Sequence, residues 1–194
     1  MEEVKRCDWI SFDKKIYRDY HDKEWGTPLH DDRAIFQKLI LNGFQAGLSW
    51  SMILNKRENF RKAFDNFDFR KVARYDKRKV NQLLKNKGII RNKMKIEAAI
   101  NNARMFMEIR KEFGTFDKYL WQFVGSKPIF NELKSLKNMP AKTEISERLS
   151  KDLKSRGMSF VGPTIIYAFM QAAGMVNDHL VHCFRYKQLK KKYG

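Results

Sequence analysis

The 194-residue sequence predicts an all-α fold, and three observations carry that expectation. Apolar positions recur at helical spacing, as in Ile96, Ile100, Ala103 and Met107, and again in Ile145, Leu149 and Leu153. Start and stop signals bracket the runs. No stretch combines strict alternation with β-branched enrichment, so no strand is expected. At ordinary length the helices should number roughly eight or nine.

The elements follow in order. Asp31 and Asp32 precede RAIFQKLILNG as a capping pair, and Gly43 is read as the stop. KNKGIIRNKMK, 85–95, turns at Gly88 and is strongly basic. Thr115 caps FDKYLWQFVG, which ends at Gly125. LSKDLKSRG ends at Gly157, MSFV follows, and Gly162-Pro163 opens TIIYAFMQAAG. This reads as helix, short hairpin, helix, because proline suits a first helical turn that needs no amide donor. Proline-bearing joints at 26–28, 126–128, 139–140 and 162–163 are too short for flexible linkers, and only the tail KQLKKKYG is of low complexity. One compact unit over 1–194 is expected.

Composition narrows the partners. Hydrophobic residues make up 43%, enough for a sizeable core. Forty Lys and Arg face 22 Asp and Glu, a net charge of +18. A charge so lopsided repels itself and suits a polyanionic partner. A membrane surface competes, but no apolar run is long enough to span a bilayer. The opening MEEVKRCDW is charged and lacks the apolar segment of a secretory signal, so the cytoplasm is the expected location.

Two places carry candidate chemistry. At the 157–163 hairpin the amides near Thr164 face outward at the positive end of a helix dipole, a ready phosphate site. Gly162 lets a backbone approach, and Lys151, Lys154, Ser155 and Arg156 add charge. An ordinary αα-corner explains the same residues, and the +18 charge favours phosphate. The second place is VNDHLVHC, 176–183. His179 and Cys183, four apart, would share one face of a helix and bind one metal ion. Two ligands leave a tetrahedral site incomplete. Cys7, His21, His30 and His182 are the remaining donors, and His182 rivals His179. A set drawing on Cys7 and His21 would clip the chain ends together, whereas buried thiols with surface histidines, or a Cys7–Cys183 disulfide, need no metal.

The first 50 residues hold three of the four tryptophans. Trp9, Tyr17, Tyr20, Trp25, Phe44 and Trp50 stand among polar neighbours. Core packing explains some of them, and a pocket that stacks a flat, cationic ligand needs the same mixture.

Together the blocks CDW, YHDKEWG, QAGLSW, KRENFRKAF, GIIRNKMKI, FVGPTIIYAFMQAAGMVNDH and the closing HxxxC resemble the bacterial 3-methyladenine DNA glycosylase I family, in order from residue 7 to about residue 183. The resemblance implies a helix–hairpin–helix glycosylase with a structural zinc joining the termini. It implies Cys7, His21, His179 and Cys183 as ligands, the Gly162 hairpin on phosphate, and a base pocket of Trp9, Tyr17, Tyr20, Gln45 and Trp50. The implied reaction excises 3-methyladenine from alkylated double-stranded DNA, with neither a strong aspartate base nor a lysine nucleophile and so without strand cleavage. The protein is expected to be a monomer.

One position departs from that pattern. In LILNGFQAGLSW, Asn42 stands where the family carries a glutamate, and Phe44 is also changed. Asparagine offers a donor and an acceptor but no charge toward a cationic base. Phe44 is expected to add a ring near the pocket. Two alternatives follow: a relative with a different lesion substrate, and a non-catalytic DNA-binding protein on the same scaffold. RNA binding has no supporting motif.

Overall fold

The computed structural model describes residues 4–10 and 15–194. The opening residues 1–3 of the expected unit, and of its charged start, lie outside the described residues, as do 11–14. Among the described residues ten α-helices form: α1 (Lys15–Lys23), α2 (Asp32–Gln45), α3 (Trp50–Ala63), α4 (Phe69–Val72), α5 (Lys77–Lys85), α6 (Lys93–Phe113), α7 (Phe116–Trp121), α8 (Glu144–Ser155), α9 (Pro163–Ala172) and α10 (Phe184–Tyr193). None is long and apolar enough to cross a membrane.

Caps set most boundaries. Asp31 accepts the Ala34 amide at 2.8 Å, Asn92 that of Lys95 at 3.1 Å, and Thr115 that of Lys118 at 3.1 Å. Each satisfies one of the donors that a helix start leaves unpaired. Thr143 and Ser146 exchange bonds in a capping box at the start of α8. Asp32 does more than begin α2. Its carboxylate accepts the Phe116 and Asp117 amides and pairs with Arg110, tying α2 to α6 and α7.

Several expectations are corrected. Gly43 does not stop α2, which runs on to Gln45. The tail is helical as α10 and buries Tyr186 and Leu189, because its aromatic and leucine lie one turn apart on one side. Two parallel strands occur, β1 (Ile129–Phe130) and β2 (Val176–Asn177), with Ile129 opposite Val176 and Phe130 opposite Asn177. At two residues each they cannot show alternation. His179 and Cys183 are not on a helix. His179 lies outside any helix or strand, and Cys183 closes a turn through its amide to the Leu180 carbonyl (2.7 Å) before α10 begins.

The main core is aromatic. Phe36, Phe60, Phe64, Phe67, Phe106 and Phe116 are fully buried between α2, α3, α6 and α7. Phe44 joins them, with its ring 4.8 Å from Phe60 and 5.8 Å from Phe64, so it is not in the pocket as expected. It stands about 200° around α2 from Asn42. A second apolar cluster gathers Cys7, Tyr20, Trp25, Leu180 and Cys183, where the two ends of the chain meet. Gly174 makes that meeting possible. A Cβ there would fall 2.2 Å from the Thr27 carbonyl carbon, and its φ of +68° is one that glycine adopts without strain.

Candidate active site and metal centre

The six residues expected to form the base pocket, Trp9, Tyr17, Tyr20, Asn42, Gln45 and Trp50, converge on one cavity of about 410 Å³. α1 supplies the tyrosines. α2 supplies Asn42 and Gln45, three apart and therefore on one face. Ser49 caps α3 and sets Trp50 at its first position. Trp9 packs edge-on against Tyr17 (5.5 Å, 86°) and Trp25 (5.0 Å, 82°), and Tyr20 tilts on Trp50 at 5.4 Å. The Trp50 indole N–H is buried and has no acceptor among the described residues.

Sequence reading missed Leu136, Met139, Ala168 and Gln171, which complete the wall, and did not assign Trp25 to it. Gln171 had a signal, as the one amide in the apolar run TIIYAFMQAAG; its side chain donates to Asp178 at 2.7 Å. Leu136 and Met139 reach the cavity from an irregular loop that has no pattern to read.

Charge in this wall is sparse. Among the described residues no carboxylate lines the cavity. Asn42 is buried, and its Nδ2 donates to the Lys38 carbonyl one turn back at 2.8 Å, leaving Oδ1 and one N–H uncommitted. Burial raises the Tyr20 pKa, so the phenol stays neutral. Behind it the Lys38 ammonium sits 4.9 Å from the Tyr20 ring and 2.7 Å from Glu24, which also binds Arg57 at 2.7 Å.

The second site is made of Cys7, His21, His179 and Cys183, all buried, with donor atoms within 4.8 Å of one another. His21 Nε2 lies 3.2 Å from His179 Nδ1 and 3.5 Å from Cys183 Sγ. His179 Nδ1 lies 3.5 Å from Cys7 Sγ and 3.6 Å from Cys183 Sγ. A tetrahedron around a metal with S and N bonds of about 2.3 and 2.05 Å has edges of about 3.6 Å (S to N) and 3.3 Å (N to N). The four residues fit such an ion. The outer nitrogens are held in the matching tautomers, since His21 Nδ1 faces Asp22 at 2.8 Å and His179 Nε2 faces the Trp25 carbonyl at 3.0 Å. Burial keeps His179 neutral, and hydrogen bonding from Cys7 pulls Cys183 toward thiolate, the ligating form. His30 binds Asp117, and His182 binds the Arg6 carbonyl and Asp8, so neither belongs to the set.

At the hairpin α8 ends, Gly157 turns at φ +92°, and Gly162 caps α9. Nothing stands within 4 Å of a Cβ placed on Gly162, and Thr164 and Lys154 are exposed. Arg156 is different from what its sequence position promised. It binds Glu112 at 2.6 Å and Asp152 at 2.7 Å and lies over the Phe113 and Tyr119 rings, so its charge is already paired.

The methyladenine glycosylase family model matches residues 9–186. The chain belongs to the methyladenine glycosylase family. Among members of this family, the DNA-3-methyladenine glycosylase of Haemophilus influenzae is 46% identical over 178 residues, 92% of this chain and 96% of that protein. A crystal structure of 3-methyladenine DNA glycosylase I superposes with a TM-score of 0.90 at 46% identity, covering 93% of this chain and 98% of that one. A tyrosine-to-phenylalanine variant of a 3-methyladenine DNA glycosylase I, in complex with 3-methyladenine, gives 0.89 at 34% identity over 92% and 96%.

Proposed function

We propose that this methyladenine glycosylase hydrolyses the N-glycosidic bond of 3-methyladenine in alkylated double-stranded DNA, as a cytoplasmic monomer. The observation that carries the reading is the convergence of Trp9, Tyr17, Tyr20, Asn42, Gln45 and Trp50 on one cavity large enough for a purine. Methylation at N3 makes the adenine ring cationic, and the base departs neutral. A weakly paired base is cheap to flip from the duplex, and aromatic faces attract its charge. The Trp50 N–H and the free edge of Asn42 are the polar groups able to read a base edge. Among the described residues no lysine lines the cavity, so none of them offers the amine that the lyase chemistry of a lysine nucleophile needs. Lys38 lies behind Tyr20 and is paired with Glu24.

The Gly162 hairpin grips a backbone phosphate through the first-turn amides of α9 near Thr164. Lys154 adds charge there, while Arg156 serves mainly to hold the hairpin base. Cys7, His21, His179 and Cys183 hold one zinc ion, and four protein ligands leave no position for substrate, so its role is structural. It pins the N- and C-terminal segments into a subdomain beside the hairpin-bearing core.

A second reading has one observation in its favour. Among the described residues the cavity lining lacks a carboxylate, with Asn42 standing where the resemblance has a glutamate, which points to a less cationic lesion. Release of free base from duplexes carrying the cationic 3-methyladenine or the neutral hypoxanthine decides between them. Preferential release of 3-methyladenine supports the first reading, and preference for another base supports the second.

A further inference from the structure

The long helix α6 touches both functional loops through polar side chains that neither the pocket nor the hairpin explains: Lys95 on one loop, and on the other Asn102 beside Asn101, whose Nδ2 donates to the Gly157 carbonyl at 2.7 Å. Lys95 is buried, and its ammonium donates to the Phe44 carbonyl at 2.9 Å and the Ala46 carbonyl at 2.6 Å. These carbonyls flank Gln45 at the C-terminal end of α2, where helical acceptors go unpaired and a cation is favoured. Beyond Ala46 the chain turns at Gly47 (φ +74°) and enters α3 at Trp50. Asn102 is also buried. Its Nδ2 donates to the Ser159 carbonyl at 2.8 Å, and its Oδ1 accepts the Ser159 amide at 2.9 Å. The next residue, Phe160, is held at φ +56°, a left-handed conformation unusual for phenylalanine.

Lys95 and Asn102 are seven residues apart, two helical turns on one face, so their grips are about 10 Å apart along a rigid axis. The two loops also meet each other. The Phe160 ring lies 6.0 Å from the Lys95 ammonium, and a Cβ on Gly43 would stand 3.5 Å from the Phe160 Cβ. We propose that Lys95 and Asn102 are positioning residues, with Asn102 setting the hairpin that holds DNA and Lys95 setting the segment that carries Gln45 and Trp50. α6 thus fixes the distance between phosphate grip and base pocket. The proposal rests on the glycosylase reading for its kinetic arm only.

The test uses Asn102→Ala and Lys95→Met in the full chain, with three readouts: affinity for an undamaged duplex, KM and kcat for 3-methyladenine release, and backbone hydrogen exchange. Asn102→Ala is expected to weaken duplex affinity and raise KM about tenfold with kcat within about twofold, and to speed exchange in 158–162 but not 44–50. Lys95→Met is expected to lower kcat about tenfold with duplex affinity within about twofold, and to speed exchange in 44–50 alone. Lys95→Arg, which keeps the cation, should restore most of kcat. If Asn102→Ala does not fold, Asn102→Asp keeps the volume and the acceptor, loses the donor, and must show the same split. Equal movement of KM and kcat in both variants, exchange that speeds evenly through both segments, or no change in either would overturn the proposal. A parent chain that releases no 3-methyladenine would instead overturn the functional reading, and the duplex and exchange arms would still decide this one.

Discussion

His21 Nε2 lies 3.2 Å from His179 Nδ1, although 158 residues separate them in the chain. Two imidazole nitrogens facing at that distance beside two thiols repel unless a proton or a cation lies between them. The purified protein is therefore expected to hold about one zinc per chain. Less than about 0.2 zinc per chain in folded protein contradicts this. Cys7→Ala should lower the melting temperature and free the termini, with a smaller effect on base binding.

DNA affinity should fall steeply with salt as phosphate contacts release counterions. Lys154→Ala is expected to reduce the slope of log K against log salt by about one, whereas Arg156→Ala should lower stability and leave the slope nearly unchanged. The difference follows from Arg156 being bound to Glu112 and Asp152. Gly162→Val should weaken binding, because a branched side chain fills the space a phosphate needs. Parent-like binding by that variant would show the hairpin to be wrongly placed.

Asn42→Glu should lower the KM for 3-methyladenine release from DNA, by on the order of tenfold, since a carboxylate in a water-poor cavity favours the cationic ring of the bound nucleotide more than an amide does. Because the base departs neutral, the gain is in binding and not in kcat. The opposing effect is desolvation, which drives a buried carboxyl toward its neutral form. The cavity is open on the side where the base enters, so charge should win. An unchanged or higher KM for the Asn42→Glu variant would mean that Asn42 is matched to another base.

Acid should act through Glu24. Burial raises its pKa, but Lys38 and Arg57 lower it further, and the net value lies below the ordinary 4.5. A group depressed in the folded state stabilises above its unfolded pKa and loses that contribution as pH falls through the folded one. Glu24→Gln should thus cost about 1–2 kcal/mol near neutral pH, discounted for partial exposure, and the gap to the parent should narrow as the pH falls below the ordinary 4.5. Denaturant melts at several pH values check this.

Much of the site was legible because its residues are chemically rare. With two cysteines and four histidines in the chain, few metal sets exist, and the resemblance chose among them. The aromatic pocket was legible as a local excess of tryptophan and tyrosine. Orientation was less legible. Phe44 lies two residues from Asn42 yet turns into the core, because helical phase rather than nearness in sequence decides its direction. Gly43 read as a stop, but α2 runs on through it to Gln45. The pairing of Arg156 with Glu112, 44 residues away, left no trace in local sequence. The His179–Cys183 spacing suggested a helix, whereas a turn delivers the same proximity.

The most direct measurement is single-turnover excision from a duplex with one 3-methyladenine, comparing the parent with Trp50→Ala. The account predicts free 3-methyladenine and an uncut abasic strand from the parent, and a loss of about 1–3 kcal/mol in transition-state stabilisation for Trp50→Ala. No base release by zinc-loaded, DNA-binding parent protein, or equal rates for the two proteins, would contradict it.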